Sequence, residues 1–189
     1  MYYTLELKDH IRVPPEHFDK PIKEAILLML KEKFEGYISK DLGVVIDVVS
    51  VGDIGEGVVV PGDGAPYYET NFEILTFKPE MQEVVNGRIR DMADFGAFLN
   101  MGPIDGMVHI SQTMDDFVSF SKEKTLTGRD SGKTLRVNDD CRARITAVSF
   151  KDPGNPKIGV TMRQPGLGKF EWLEEPEKKK KPAKKEEKK

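Results

Sequence analysis

Two phenylalanines and a histidine lie in FGAFLNMGPIDGMVHISQ, residues 95–112, a stretch with the alternation of β-strands. Because side chains alternate between the two faces of a strand, the aliphatic residues among them form an inner face. This alternation leaves Phe98 and His109 on the outer face of adjacent strands. Phe95 joins them if Gly96 permits a bulge or a kink. Flat rings exposed side by side can stack on unpaired bases, each stack contributing about 1–3 kcal/mol.

Alternation alone leaves two interpretations of these rings open. They form a stacking platform for single-stranded RNA, or they pack beneath residues 111–140 or against the N-terminal part of the chain. The first interpretation requires the rings to be exposed, and the second requires them to be covered.

The elements that would position the rings are short strands separated by Gly- and Asp-rich turns. Five such strands within about 80 residues are typical of a small closed barrel of the OB type. An insertion of roughly 30 residues, 111–140, separates the third strand from the fourth. The predicted strands are Val84–Met92, Phe95–Met101, Met107–Ile110, Cys141–Val148 and Ile158–Met162.

The first 79 residues predict a small antiparallel sheet with one helix, an α+β module that precedes the all-β barrel. Its predicted strands cover residues 2–8, 43–51, 58–60 and 67–77. Pro21 opens the helix, an apolar stripe follows at helical spacing, and Gly36 ends it. The strand at 43–51 is apolar at nearly every position, which predicts that both of its faces are covered. We place the domain boundary at Pro79.

Charge is unevenly distributed along the chain. Residues 1–79 contain 8 Lys and Arg against 14 Asp and Glu, a net charge of −6, whereas residues 80–173 contain 13 of each. Since nucleic-acid affinity is largely electrostatic, the first domain is expected to contact a protein partner. The tail at 174–189, with 8 Lys and 5 Glu, has no apolar face to bury and is predicted to be disordered.

Four arginines lie on the predicted outer faces of two barrel strands. They could contact phosphates, or they could simply keep these strand faces solvated. With equal numbers of acidic and basic residues in the barrel, RNA binding would be modest and sensitive to salt. The four are Arg88, Arg90, Arg142 and Arg144.

Several other kinds of site are not predicted. The stretch PGLGKF at 165–170 lacks the leading glycine and the Ser or Thr of a phosphate-binding loop. The three histidines have no metal-ligand spacing, and no strained nucleophile turn accompanies the pair His109 and Ser111. We therefore expect no catalytic residue, no metal and no cofactor.

The sequence also bears on location. Its longest apolar run, AILLML at 25–30, is far shorter than the approximately 18 residues needed to cross a bilayer. The start, MYYTLELKDH, has neither a basic leader nor an apolar signal core. A lone cysteine, Cys141, excludes an internal disulfide framework and is interpreted as a small core hydrophobe. A cytoplasmic protein without a membrane partner is expected.

The barrel sequence resembles the S1 domain, an RNA-binding OB fold. The match is carried by Gly87, by FGAF at 95–98 and by DGMVHIS at 105–111. The stretch RVNDDCRARITAVS resembles the entry to the fourth strand, but Asn138-Asp139 replaces the usual Gly-Asp and Cys141 replaces a valine-like residue.

The resemblance to S1 domains implies an RNA-binding face. Phe95, Phe98 and His109 match its aromatic positions. An acid and a base from the loop between the last two strands complete it, and the nearest candidates in FKDPGNPK are Asp152 and Lys157.

Residues 1–173 resemble the E-prime family of archaeal DNA-directed RNA polymerase subunits, the counterparts of the seventh subunit of eukaryotic polymerase II. The stretches that match are MYYTLELKDHIRVPPEHF, DIGEGVVVPGDGAPYYETNFEILTFKPEMQEVVNG and TMRQPGLGKFEW. The resemblance implies a non-catalytic stalk subunit with an N-terminal tip domain at 1–79 and an S1 domain at 80–173. It also implies a heterodimer with the small helical F subunit of the polymerase, docking at the base of the polymerase clamp, contact with nascent RNA near its exit path, and a role in promoter opening.

An alternative function stays open at this point. An S1 barrel could also serve a free RNA-binding factor in translation or RNA decay. The two functions differ in the role of the first domain, since a free factor would be stable and monomeric, whereas a stalk subunit would expose apolar surface for its partners.

Overall fold

The computed structural model describes residues 1–121, 123–152, 154 and 156–173. The chain divides into two compact units, Met1–Pro79 and the residues from Glu80 onward. The Lys- and Glu-rich tail that the sequence predicts to be disordered, 174–189, lies outside the described residues. Within the described ranges, no helix has the length and apolarity needed to cross a bilayer.

The first unit is a four-stranded antiparallel sheet with one helix packed on it, so the predicted α+β fold is confirmed. Its elements are β1 (Tyr2–Arg12), a 3₁₀ helix (Pro15–His17), α1 (Ile22–Phe34), β2 (Ile38–Ser39), β3 (Gly43–Val59) and β4 (Pro66–Phe77). The strand order is β1-β4-β3-β2. The apolar stripe of α1 buries Ala25, Ile26 and Leu30 against the sheet, which anchors the helix.

Strand β3 is continuous where the sequence predicts two strands, at 43–51 and 58–60. Its register against β4 shifts at four points, and each shift places one extra residue in β3. As a result Val45, Val48 and Val51 are spaced by three residues yet all lie in the helix-side core. Their partners on β4 are spaced by two residues, as in a regular strand.

The prediction that both faces of this strand are covered holds at Val44 and Val45, which are both buried, but is wrong farther along the strand. Val49 is 55% exposed, and Ser50 beside it is also exposed. An apolar residue at every third position falls on both faces of a regular strand, so the sequence looks apolar throughout. The bulges bring Val45, Val48 and Val51 onto one face and leave the other face open at Val49 and Ser50.

The second unit contains a closed five-stranded barrel, which confirms the predicted OB architecture. Strands β5, β6 and β7 form an antiparallel meander, β12 pairs in parallel with β7, and β11 closes the barrel between β12 and β5. The elements are β5 (Val84–Ala93), β6 (Gly96–Asn100), β7 (Asp105–His109), a 3₁₀ helix (Ile110–Gln112), β8 (Val118–Ser121), β9 (Thr125–Gly128), β10 (Thr134–Arg136), β11 (Asp140–Ser149), β12 (Lys157–Thr161) and β13 (Gly168–Lys169).

The barrel interior is filled by the inward-facing residues of these strands. Ile89, Leu99, Val108 and Ile145 are all fully buried. Cys141 belongs to the same interior, and burial raises the pKa of its thiol to about 12. The residue therefore acts as a small core hydrophobe, because a thiol with such a pKa stays protonated and unreactive.

The insertion at 111–140 folds into its own three-stranded sheet, with strand order β10-β9-β8. Asp116, just before β8, binds the turn between β9 and β10. The Asp116 carboxylate accepts hydrogen bonds from the backbone N–H groups of Asp130 (3.1 Å) and Ser131 (2.8 Å), and from the Ser131 hydroxyl (2.7 Å). These bonds, led by the one from the Ser131 backbone, lower the pKa of Asp116 to about 2.

Replacing Asp116 with asparagine is expected to loosen the insertion, because the amide would direct its own hydrogens toward groups that also donate. The chain's single tryptophan, Trp172, reports on this change, since the Lys133 Nζ of the insertion lies 5.5 Å from the centre of its ring. Trp172 emission and hydrogen exchange of the β9 amides should both change in Asp116→Asn.

Acid should reproduce this effect in the wild-type chain. A carboxyl group whose pKa is lowered by folding stabilises the fold above its unfolded pKa, about 4, and that contribution disappears as the pH falls toward about 2. Asp116→Asn should lack this acid transition, whereas the control Asp115→Asn, at an exposed residue that pairs with Arg163, should retain it. An unchanged acid transition in Asp116→Asn would contradict this role.

Candidate nucleic-acid interface

A groove of about 630 Å³ runs along the outer wall of the barrel, across β6, β7, β12 and the C-terminal half of β11. Three of the residues that the sequence predicts for RNA binding line it together: Phe98, His109 and Lys157. They come from three different strands, so the closure of the barrel brings them together. Phe98 is half-buried, whereas His109 and Lys157 are exposed.

Phe95 adjoins this groove through its neighbour Phe98. The two rings meet edge to face, with centroids 6.0 Å apart and planes at 89°, a favourable aromatic arrangement. Phe95 is 46% exposed. Gly96 between them lies against the carbonyl oxygen of Val108, and a side chain there would collide with it. The glycine therefore allows the turn that places both rings on the outer side.

Two further parts of the groove were missed by the sequence prediction. Met107 lies directly opposite Phe98 in the strand register and is 37% exposed. Alternation could have identified it, since it shares a strand face with His109. Thr146 and Ala147 line the far wall at a register shift in β11, and no residue pattern indicates that shift.

The arginines of β5 are held by carboxylates. Arg88 Nε lies 2.8 Å from Asp140 Oδ1, and Arg90 Nη1 lies 2.6 Å from Asp105 Oδ2. The hydrogen bond from Arg88 is the main reason why the pKa of Asp140 is lowered. The partner of Arg90, Asp105, lines the groove, whereas the partner of Arg88, Asp140, does not.

The other predicted positions lie outside the groove lining. The Arg142 guanidinium lies 5.4 Å from the centre of the Phe170 ring, a cation–π arrangement. Arg144 is half-buried, and within the described part of the chain its Nε has no hydrogen-bond partner. Asp152 is exposed and accepts a hydrogen bond from the backbone of Gly154. An RNA contact by any of these residues stays a prediction.

The insertion approaches the aromatic pair from one side. Lys124, in the turn between β8 and β9, forms a 2.7 Å ion pair with Asp91, which lies opposite Phe98 in the register of β5 and β6. The hydrogen bond from Lys124 is the main cause of the lowered pKa of Asp91. Since Phe95 and His109 remain exposed, the described residues of the insertion flank the platform without sealing it.

Candidate metal sites were sought among the same residues. Across the described ranges, no three His, Cys, Asp or Glu side chains are close enough to hold a metal ion. The chemistry that the groove residues offer is stacking, hydrogen bonding and the positive charge of Lys157.

Comparison with protein families defines the class of both units. Residues 8–64 match the "SHS2 domain found in N terminus of Rpb7p/Rpc25p/MJ0397", and residues 78–152 match the "S1 RNA binding domain". The chain thus combines an SHS2 domain with an S1 RNA-binding domain that carries the groove.

Individual relatives define the family. The chain is 40% identical to DNA-directed RNA polymerase subunit Rpo7 of Saccharolobus solfataricus, over 92% of this chain and 97% of that protein. It is 28% identical to DNA-directed RNA polymerase III subunit RPC8 of Saccharomyces cerevisiae, over 83% and 77% of the two chains. The chain belongs to the Rpo7 family of DNA-directed RNA polymerase subunits.

One solved structure gives a weaker likeness. Apo RNase R of Mycoplasma genitalium aligns with a TM-score of 0.37 and 25% identity, over 42% of this chain and 13% of that one. A score this low supports no functional comparison.

Proposed function

We propose that this polymerase subunit is non-catalytic and binds nascent single-stranded RNA in the groove of its S1 domain, near the RNA exit path. The observation that carries the proposal is the convergence of Phe98, His109 and Lys157 on one open groove. The rings stack on bases of any identity and the lysine attracts the backbone. This gives a contact that tolerates every transcript sequence.

The first domain serves assembly in this proposal. Its net charge of −6, from 8 Lys and Arg against 14 Asp and Glu, opposes phosphate binding. It also exposes three successive valines, Val58, Val59 and Val60, where β3 ends before the turn to β4. Val58 and Val59 point to opposite faces of the strand, so these apolar groups surround the end of the strand rather than cover one face of the sheet. Exposed apolar groups are typical of a protein contact. We assign this end of the domain to the polymerase core at the base of the clamp.

Membership of the Rpo7 family supports the remaining parts of the proposal. The protein pairs with the F subunit to form a stalk, acts in the cytoplasm, and helps to position the clamp during promoter opening. It contributes no catalytic residue and requires no cofactor or metal of its own.

Affinity capture of the tagged full-length chain from native cell extract tests the assembly. Mass spectrometry should identify the F subunit and the large core subunits in stoichiometric amounts. Recovery of ribosomal or RNA-decay proteins without core subunits would support the alternative, a free S1-domain factor, and would overturn the stalk assignment.

A further inference from the structure

His109 makes two contacts with one residue, Ser111, at the end of β7. The ring nitrogen Nδ1 of His109 lies 2.8 Å from the Ser111 hydroxyl oxygen and 3.3 Å from the Ser111 backbone nitrogen. The imidazole thereby caps the 3₁₀ helix Ile110–Gln112, accepting the Ser111 N–H with its side chain.

The backbone contact sets which ring nitrogen carries the proton, and the shorter hydroxyl contact strengthens that preference. A backbone N–H can only donate, so Nδ1 must accept from it and therefore carries no hydrogen. The Ser111 hydroxyl can rotate its hydrogen toward the same lone pair. In the neutral imidazole the proton must then be on Nε2. A proton on Nδ1 would point at the Ser111 N–H, and the hydrogen bond would be lost.

The other nitrogen of the ring, Nε2, has no hydrogen-bond partner among the described residues. In that part of the chain, Ser111 provides all of the side-chain hydrogen bonds of His109. His109 is exposed and lines the groove. Nε2–H lies across the ring from Ser111, which leaves it available to a bound molecule.

We infer that Ser111 is a positioning residue that holds His109 as the Nε2–H tautomer, so that the ring offers one hydrogen-bond donor to an acceptor oxygen of bound RNA. The inference rests on the proposed RNA-binding function of the groove and adds a polar contact to the stacking. That oxygen belongs to a phosphate or to a base carbonyl, which are both acceptors. Fixing the tautomer in advance spares the complex the cost of selecting it on binding.

Nitrogen-15 NMR of the full-length chain tests the tautomer directly, at a pH at which the imidazole is neutral. The chain has only three histidines, so the signals that disappear from the spectrum of His109→Ala are those of His109. Wild-type His109 should show a protonated Nε2 and an unprotonated Nδ1. Ser111→Ala keeps the longer backbone contact but loses the hydroxyl contact at 2.8 Å, so its share of the Nε2–H tautomer should fall below that of the wild type. Ser111→Thr, which keeps the hydroxyl, should restore the wild-type pattern. A proton on Nδ1 in the wild type would overturn the inference.

Binding of a single-stranded oligouridylate provides the second readout. Because one net hydrogen bond is involved, Ser111→Ala should weaken binding about three- to fivefold, with an unchanged melting temperature and with recovery in Ser111→Thr. An abasic ribose-phosphate strand separates the two acceptors. If the acceptor is a phosphate, Ser111→Ala should bind the abasic strand more weakly than the wild type does. If the acceptor is a base carbonyl, the two proteins should bind the abasic strand equally.

The two hypotheses fail in different ways. If Ser111→Ala binds RNA as tightly as the wild type while removal of Phe98 and His109 weakens binding, the positioning role of Ser111 is wrong and the groove assignment stands. If removal of the two rings also has no effect, the RNA-binding groove itself is wrong.

Discussion

Replacing Phe98 and His109 together with alanine is expected to weaken the binding of single-stranded RNA by at least about tenfold, since each stacked ring contributes about 1–3 kcal/mol. The melting temperature should change little, because both side chains face the groove and the barrel interior consists of other residues. Fluorescence anisotropy with a labelled oligouridylate measures the binding, and thermal unfolding measures the stability.

Phe117→Ala is the matched control for this experiment. Phe117 is 79% exposed and belongs to the insertion, outside the groove. Its loss should leave RNA affinity near that of the wild type. That result would show that removing any exposed aromatic ring is not sufficient to weaken RNA binding. A collapse of the melting temperature in the double variant would instead show that the two rings act as core.

Replacing Val58, Val59 and Val60 with threonine is expected to lower the affinity for the polymerase core by at least about a hundredfold. The three valines are 60%, 62% and 48% exposed in the free chain. Threonine keeps the β-branched shape, but burying each unpaired hydroxyl in an interface costs about 1–3 kcal/mol. Native co-purification and a competition titration against the wild-type chain measure the loss.

Val49→Thr provides the control for docking. Val49 lies in the same strand and is 55% exposed, so it matches the three valines in chemistry and exposure but not in position. We expect this variant to assemble normally. Equal recovery of core subunits by the triple variant and the wild type would place the docking surface elsewhere.

Alternation of residue types predicted the barrel strands because successive side chains in these strands do point to opposite faces. The inner faces of β6 and β7 follow a period of two, and their observed bounds, Gly96–Asn100 and Asp105–His109, lie within the predicted strands or extend them by two residues. Phe98 and His109 follow from the same rule, because a ring out of phase with the interior must point outward, whereas Phe95 depends on the turn at Gly96.

Strand β3 shows where that rule fails. A bulge changes the spacing of core residues from two to three, and the residue types of Val45, Val48 and Val51 are the same in either case. The extra residues are set by pairing with β4, which is a tertiary property. Counting apolar positions alone therefore predicted two separate strands, the first of them with both faces covered.

The site was only partly predictable for a related reason. Phe98 and His109 lie on neighbouring strands, so local spacing identifies them. Thr146 reaches the groove through the parallel pairing of β12 with β7 and a register shift in β11, both of which arise at long range. The ion pairs of Arg88 and Arg90 also depend on distant carboxylates.

The unequal register of β3 and β4 also determines how the first domain responds to a change in chain length. Each of the four offsets in β3 already accommodates one surplus residue, so the loss of a residue there can be absorbed by straightening the backbone locally. Strand β4 has no surplus residue in this pairing, so the loss of one residue from it would turn core residues such as Phe72 or Ile74 toward the solvent. The sheet thus concentrates its tolerance of single-residue deletions in one strand of the pair.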